Sequence, residues 1–297
     1  MRIVILSRNP ALYSTQSIYL AARRRGHDVR VIDHMRCDIV IERNSLAIDY
    51  ENERLQDIDA IIPRIGASAT SYGAAVIRQF ELMGVFSVLH SEALLKSRDK
   101  RTCMQILVAN GIPVPGSVIT NNIFQLENSI RKVGPAPVII KLLNSTQGLG
   151  VVLAETDSSA ESVMESFIRL KQKVILQEFI HEAEGKDLRV FIVDGQIVAA
   201  MERAAKPGEF RSNLHRGATA RKVFLRRVEE QAALKAVKVL GLRVAGVDIL
   251  RARSGPLVLE VNASPGLEGI EGTTRVDIAT KIIQYVERNA RGKWSTP

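Results

Sequence analysis

Two carboxylates and an amide stand at strand-like spacing near the end of the chain. Val244-Ala245-Gly246-Val247-Asp248-Ile249-Leu250 and Pro256-Leu257-Val258-Leu259-Glu260-Val261-Asn262 each set oxygen-bearing side chains into an apolar, β-branched run. Side chains alternate faces along a strand, so Glu260 and Asn262 point the same way. Residues 251–255, Arg-Ala-Arg-Ser-Gly, read as the turn between the two strands. A hairpin centred near Ser254 sets Asp248 opposite Glu260, and the three oxygen donors converge on one face. Buried carboxylates need cationic partners. Hard oxygen ligands with room for water suit Mg2+ or Mn2+ carrying nucleotide phosphates. An edge hairpin with solvated acids fits the same two runs.

Cations upstream supply a complementary half. Lys141 interrupts the apolar run Val138-Ile139-Ile140-Lys141-Leu142-Leu143. A lysine there is either held against a phosphate or placed on the solvent face of an edge strand, since lysine is rarely buried unpaired. The loop Asn144-Ser145-Thr146-Gln147-Gly148-Leu149-Gly150 follows at once. Its small residues let backbone N–H groups approach phosphate oxygens, although a plain hairpin loop has the same composition. No GxxxxGK[ST] sequence occurs. Gln177-Glu178-Phe179-Ile180 ends a strand whose backbone, in an apolar slot, could pair with an adenine edge; an ordinary strand end fits equally well. Arg211-Ser212-Asn213-Leu214-His215-Arg216-Gly217 is dense in donors, and arginine forks match phosphate and carboxylate. His215 between two arginines fits anion binding better than base catalysis. Ser264-Pro265-Gly266 is a small-residue turn that exposes N–H groups toward a substrate carboxylate, or is a turn and nothing more.

The elements that must position these residues fall into three regions. Over the first ninety residues the patterning predicts strands at Ile3–Leu6, His27–Asp33, Ala60–Pro63 and Val85–Leu89. Helices are predicted over Ser17–Arg25 and Ala74–Met83, closed by Gly26 and Gly84. That alternation argues a small parallel α/β domain, without the GxGxxG of a dinucleotide site. Ser91–Asn110 reads as mostly helical, and Gly111-Ile112-Pro113-Val114-Pro115 marks a boundary. The middle region has a helix near Ile123–Lys132, strands Val138–Leu143 and Val151–Ala154, a helix over Ser158–Leu170 and a strand Val174–Glu178. The last region is antiparallel, with Leu188–Val193 and Gln196–Met201 about an Asp194-Gly195 turn. Helix Val228–Leu240 precedes the acid hairpin and helix Asp277–Arg288 closes the chain.

The 297 residues leave room for two or three domains. No apolar run approaches the roughly 20 residues that span a bilayer. The first residues read as a strand rather than a signal peptide. Cys37 and Cys103 lie far apart and imply neither a disulfide framework nor a zinc site. A cytoplasmic address is therefore expected. The net charge of +9 suits polyanions, nucleotides or acidic peptides, but the basic residues are dispersed and no base-stacking aromatic motif is present.

The order of the signals carries more than any one of them. Asp99-Lys100, Lys141 with a glycine loop, Gln177-Glu178, Asp187, Arg211 to Asn213, Asp248, and Glu260 with Asn262 together resemble the ATP-grasp superfamily of carboxylate–amine ligases. Arg64-Ile65-Gly66, residues 211–217, and Asn262-Ala263-Ser264-Pro265-Gly266-Leu267-Glu268-Gly269-Ile270-Glu271 resemble, more specifically, the RimK family of α-L-glutamate ligases. Ala218 stands where that pattern has a second glycine. The resemblance spans nearly the whole chain. It implies an α/β plus α+β protein: a Rossmann-like pre-ATP-grasp domain over 1–95, then an ATP-grasp domain over 104–287 whose lobes divide near 175/176. It also implies roles. Lys100 and Lys141 contact ATP phosphates, Glu178 and Phe179 hold the adenine, and Asp187 helps fix the nucleotide. Arg211, Ser212 and Asn213 approach the phosphates, with Arg211 and Lys141 catalytic. Asp248, Glu260 and Asn262 hold two Mg2+ or Mn2+ ions, with Glu260 bridging, and the Gly148 loop closes as a lid.

The activity implied is transfer of the ATP γ-phosphoryl to a C-terminal carboxylate, then attack by the amine of L-glutamate, releasing ADP and phosphate. A ribosomal protein C-terminus or an acidic peptide is the implied acceptor, and poly-α-glutamate a further product. A homo-oligomer is expected, with no membrane or direct nucleic-acid role. One alternative is a related ligase with another amino acid or acceptor, such as a carrier protein or a cofactor. Amino-acid dependence of phosphate release separates it. A non-catalytic RNA- or ribosome-binding protein is the distant alternative; it predicts salt-sensitive RNA binding and indifference to loss of Asp248 or Glu260.

Overall fold

A computed structural model of the chain describes residues 1–143, 150–214 and 217–290. The first apolar run forms the strand Arg2–Leu6, with four successive side chains buried. Burial on both faces is what a parallel strand covered by helices requires. It pairs in parallel with Asp28–Ile32 on one side and Ala60–Pro63 on the other, and Ala60–Pro63 pairs with Phe86–Ser87. Ile3 and Ile5 pack under helices Tyr13–Arg24 and Ile278–Ala290, while Val4 and Leu6 pack toward helix Thr70–Leu82. The first helix begins four residues before its predicted start. Leu12 stands at its N-cap and makes no side-chain cap, so the sequence carries no start signal there. A small antiparallel sheet of Cys37–Ile41, Leu46–Tyr50 and Glu53–Arg54 is an addition that the strand–helix alternation did not announce.

Ser91–Asn110 is mostly helical, as two helices, Ser91–Arg98 and Lys100–Ala109. Asp99 takes an extended backbone between them, and its carboxylate accepts from the Arg101 and Thr102 N–H groups. This is N-cap chemistry, which short acidic side chains favour over helix interior. The break makes Lys100 the first residue of the second helix.

Two antiparallel sheets follow. In the first the order is Val151–Ala154, Val138–Leu142, Val174–Glu178, Ser117–Thr120. Val138, Ile140 and Leu176 pack under helices Leu126–Val133 and Asp157–Arg169, so Ile139, Lys141, Ile175 and Gln177 take the opposite face. The second has the order Thr219–Lys222, Gln196–Ala204, Lys186–Val193, Val244–Ala252, Gly255–Asn262. Its Asp194-Gly195 turn has both residues at positive φ, 52° and 71°, matching the twist of a two-residue hairpin. Leu188, Val190, Val247 and Ile249 pack toward helix Arg227–Val239, leaving Asp187, Arg189, Arg203 and Asp248 on the other face. Among the described residues no helix is long and apolar enough to cross a membrane.

Candidate active site

The acid hairpin forms with Asp248 opposite Glu260 and Gly246 opposite Asn262, so the three oxygen donors share one face. The route to that register differs from a plain hairpin. The turn is the two residues Arg253-Ser254, with Ala252 paired to Gly255, and Leu259 is an extra residue that shifts the pairing between Asp248 and Ile249. A β-bulge of this kind re-aims side chains beside a site.

The two inner faces look at each other across one cleft. Lys100, Lys141, Glu178, Phe179, Asp187, Arg211, Ser212, Asn213, Asp248, Glu260 and Asn262, every predicted site residue, line it. Its apolar walls include Ile139, Ile175, Leu250 and Leu259. The 144–149 loop with Gly148, and His215 and Arg216, lie outside the described residues.

On the first wall, the Lys141 ammonium donates to Gln177 Oε1 at 2.5 Å. Burial pulls its pKa down to about 8; Glu260 opposes that shift and Lys100 adds to it. Lys100, at the start of its helix, donates to the Leu143 carbonyl at 3.4 Å. Glu178 is tied down twice: its N–H donates to the Gly116 carbonyl at 2.9 Å and Oε1 accepts from the Gly116 N–H at 2.7 Å. Among the described residues the Phe179 N–H meets no acceptor, and the ring stacks edge-on against His181.

The opposite wall is a buried chain of alternating charge. Arg203 grips Asp187 with two bonds of 2.7 and 2.6 Å and reaches Asp248 at 3.0 Å, while Arg189 holds both Asp248 oxygens. Burial works against the Asp248 carboxylate, but the two guanidiniums outweigh it and hold its pKa below the usual range. Burial raises the Asp187 carboxyl, with the Asp248 charge adding to it beyond what Arg203 and Ser212 recover. Ser212 Oγ donates to Asp187 at 2.6 Å, so this carboxylate anchors the Arg211 segment and Arg203 at once. Arg211 itself is clamped by Glu209 at 2.9 and 2.8 Å, a pairing that brings the Glu209 carboxyl down to about 2. Cys103 also lines the cleft, but burial pushes its thiol up to about 12, far from a thiolate nucleophile.

Arg189 and Arg203 were invisible to motif reading. For Arg189 the available signal was the one that exposed Lys141, a cation inside the apolar run Leu188-Arg189-Val190-Phe191; Arg203 follows Glu202 at the end of the apolar run Ile197-Val198-Ala199-Ala200-Met201. Asp248, Glu260 and Asn262 offer two carboxylates and an amide, a donor set that suits a hard cation whose remaining ligands are water and phosphate. Among the described residues no group of three or more His, Cys, Asp and Glu side chains could hold a metal, so this mixed set supplies only part of a coordination shell.

Two antiparallel sheets closing on a cleft of lysines, arginines and acids, behind a parallel α/β domain, define an ATP-grasp enzyme. A model described as RimK-like ATP-grasp domain matches residues 97–286, and one described as RimK PreATP-grasp domain matches residues 1–94. The chain belongs to the RimK-like ATP-grasp family and is an ATP-dependent carboxylate–amine ligase. It is 54% identical over 290 residues to a probable alpha-L-glutamate ligase of Picosynechococcus sp., covering 98% of this chain and 96% of that one. A probable alpha-L-glutamate ligase of Nitrosococcus oceani is 51% identical over 297 residues, 100% and 99% of the two chains. Among solved structures, the ATP-grasp ligase PsnB complexed with minimal precursor superposes with a TM-score of 0.76 at 22% identity, covering 97% and 98%. The macrocyclase MdnC bound with precursor peptide MdnA, from Microcystis aeruginosa, gives 0.72 at 16% identity, covering 97% and 100%.

Proposed function

We propose that the enzyme joins L-glutamate through its α-amine to the C-terminal carboxylate of an acidic peptide or protein, at the expense of ATP. The observation that carries this reading is the convergence of Lys100, Lys141 and Arg211 with Asp248, Glu260 and Asn262 in one cleft. The names of the relatives support glutamate as the amine. A peptide acceptor is supported by neighbours solved with precursor peptides, and ATP with Mg2+ by those solved with AMPPNP or with Mg and ADP. A ribosomal protein C-terminus is the acceptor expected from the family resemblance.

A carboxylate is a poor electrophile, and its oxygen is a poor leaving group. Moving the ATP γ-phosphoryl onto it makes an acyl phosphate, which the glutamate amine attacks with loss of phosphate. Lys141 and Lys100 would hold phosphate oxygens, while Ser212 and Asn213 bring the Arg211 segment to the transferring group. Glu178 and Phe179 would present backbone to the adenine edge, between Ile139 and Leu259. Asp187 would act through Arg203 and Ser212. Asp248, Glu260 and Asn262 would hold Mg2+ or Mn2+, which neutralises charge on the phosphates. Most of the rate gain then comes from positioning and charge neutralisation.

The test is incubation with ATP, Mg2+, glutamate and acidic peptide acceptors, reading phosphate, nucleotide product and acceptor mass. Glutamate-dependent release of ADP and phosphate, with the acceptor heavier by whole glutamate residues, is expected. AMP as product, or phosphate release indifferent to the amino acid, sinks the reading.

A further inference from the structure

In the parallel sheet, Asp28–Ile32 lies on one side of Arg2–Leu6 and Ala60–Pro63 on the other. The strand order therefore reverses between Arg2–Leu6 and Ala60–Pro63. Open α/β sheets take ligands in the crevice outside the carboxyl ends of two such strands. The residues just past those ends are Ser7-Arg8-Asn9 and Arg64-Ile65-Gly66. Two guanidiniums thus sit at the switch point. Among the described residues neither pairs with a carboxylate: Arg8 donates to Ser68 Oγ at 2.9 Å, and Arg64 to the Pro265 carbonyl at 2.6 Å. Gly66 lets Arg8 pack close, because a Cβ there would lie 3.1 Å from its Nη2.

The bond from Arg64 ties this crevice to the turn that follows the acid strand. Ser264, one residue before Pro265, has a buried hydroxyl with no hydrogen-bond partner among the described residues. A buried hydroxyl left unpaired and a desolvated guanidinium without a counter-charge both cost free energy. One carboxylate satisfies both, by a fork from arginine and a hydroxyl bond. Asn262 and Ala263, just before Ser264, line the cleft, as does Arg98, which donates to the Ile65 carbonyl at 2.8 Å, so Arg64 and Ser264 adjoin the face where phosphoryl transfer is proposed.

The geometry points to a carboxylate subsite for the incoming amino acid, with Arg64 and Ser264 as its donors and Arg8 at its mouth. The inference rests on the glutamate reading above and deepens it, since the subsite selects an acidic amine. Glutamate offers an α-carboxylate and a side-chain carboxylate of the same chemistry. Comparison with glutamine, and with glutamate amidated at its α-carboxyl, distinguishes them.

The experiment is steady-state phosphate release by the wild type, Arg64→Gln and Ser264→Ala with each of these amines, alongside melting curves. The expected result for Arg64→Gln is a glutamate KM higher by about 10- to 100-fold, as for a lost charged hydrogen bond, with the ATP KM within about twofold. The preference for glutamate over glutamine collapses if the side-chain carboxylate sits there; the preference over the α-amide collapses if the α-carboxylate does. Ser264→Ala raises the glutamate KM by about fivefold while its Tm stays at or above the wild-type value, because that hydroxyl has no partner to lose. A glutamate KM unchanged in both variants overturns the inference, as does an equal rise in the ATP KM. If the wild type ignores glutamate and uses another amine, the glutamate reading fails by itself. The subsite then stands only if Arg64→Gln raises the KM of that amine.

Discussion

Asp248 and Glu260 face each other across the last hairpin, although straight pairing from its two-residue turn would set Leu259 opposite Asp248. The bulge at Leu259 absorbs one residue and delivers the second carboxylate. The two acids are otherwise unlike. Asp248 is buried between Arg189 and Arg203, whereas Glu260 is exposed and makes no ion pair among the described residues. Their alanine variants should therefore separate function from stability. Glu260→Ala should lower phosphate release by about a hundredfold or more with Tm within about 2 °C of wild type. Asp248→Ala should lose activity and also about 3 kcal/mol of stability, because two guanidiniums are left buried without their partner. Melting curves with a phosphate assay on both variants decide it; an equal loss of stability in the two would refute the contrast.

Lys141 predicts a proton signature for ATP binding. Its pKa of about 8 in the free enzyme lies below the ordinary lysine value, chiefly through burial. Phosphate oxygens favour the charged form, so binding raises that pKa and takes up a proton above pH 8. Affinity for ATP should fall as pH rises past 8, by up to about tenfold per unit. Calorimetry at pH 8.5 in two buffers of different ionisation heat should show proton uptake in wild type and none in Lys141→Met.

Asp99 positions Lys100 by ending one helix and capping the next. Asp99→Ala should cost about 1 kcal/mol of stability, and Asp99→Ser only a few tenths. The alanine variant should also raise the KM for ATP, because the first turn carrying Lys100 frays. A KM for ATP untouched by Asp99→Ala would detach Lys100 from the nucleotide.

The cleft was legible in the sequence where a polar residue interrupts an apolar strand, as at Lys141, Asp248 and Glu260. Period-two burial fixes such a residue on one face, and the neighbouring strands then decide what it meets. Arg189 and Arg203 obey the same rule, but their meaning depends on pairing: Arg189 is opposite Asp248 and Arg203 opposite Asp187 only once three strands are in register. The break at Asp99 was hidden because residues 91–110 keep helical composition on both sides of it. The Cys37–Ile41 strand was hidden because it belongs to a local sheet set apart from the strand–helix alternation. Arg64-Ile65-Gly66 and Ser264-Pro265-Gly266 each stand out in the sequence, but their meeting, through the bond from Arg64 to the Pro265 carbonyl, needs the tertiary fold, and no local pattern carries that.

Gly246 gives the last prediction, since it stands opposite Asn262 for a reason of space rather than torsion. A Cβ there would lie 2.9 Å from Pro265 Cβ and 3.3 Å from Arg189 Cδ. Pro265 is a rigid ring whose carbonyl accepts from Arg64, and Arg189 is pinned to Asp248, so neither yields freely. Gly246→Ala should cost about 1–3 kcal/mol through overpacking. On the subsite proposed above, it should also raise the KM for glutamate more than that for ATP, since the displaced turn carries Ser264. Gly272 is the internal control. It is exposed in the helix Glu268–Thr274, and a Cβ added there would meet nothing within 4 Å among the described residues, so Gly272→Ala should stabilise by about 0.5–1 kcal/mol with unchanged kinetics. Opposite signs for these two Gly→Ala changes, read by denaturant melts, are the expected result; the same sign for both would remove the steric argument at Gly246.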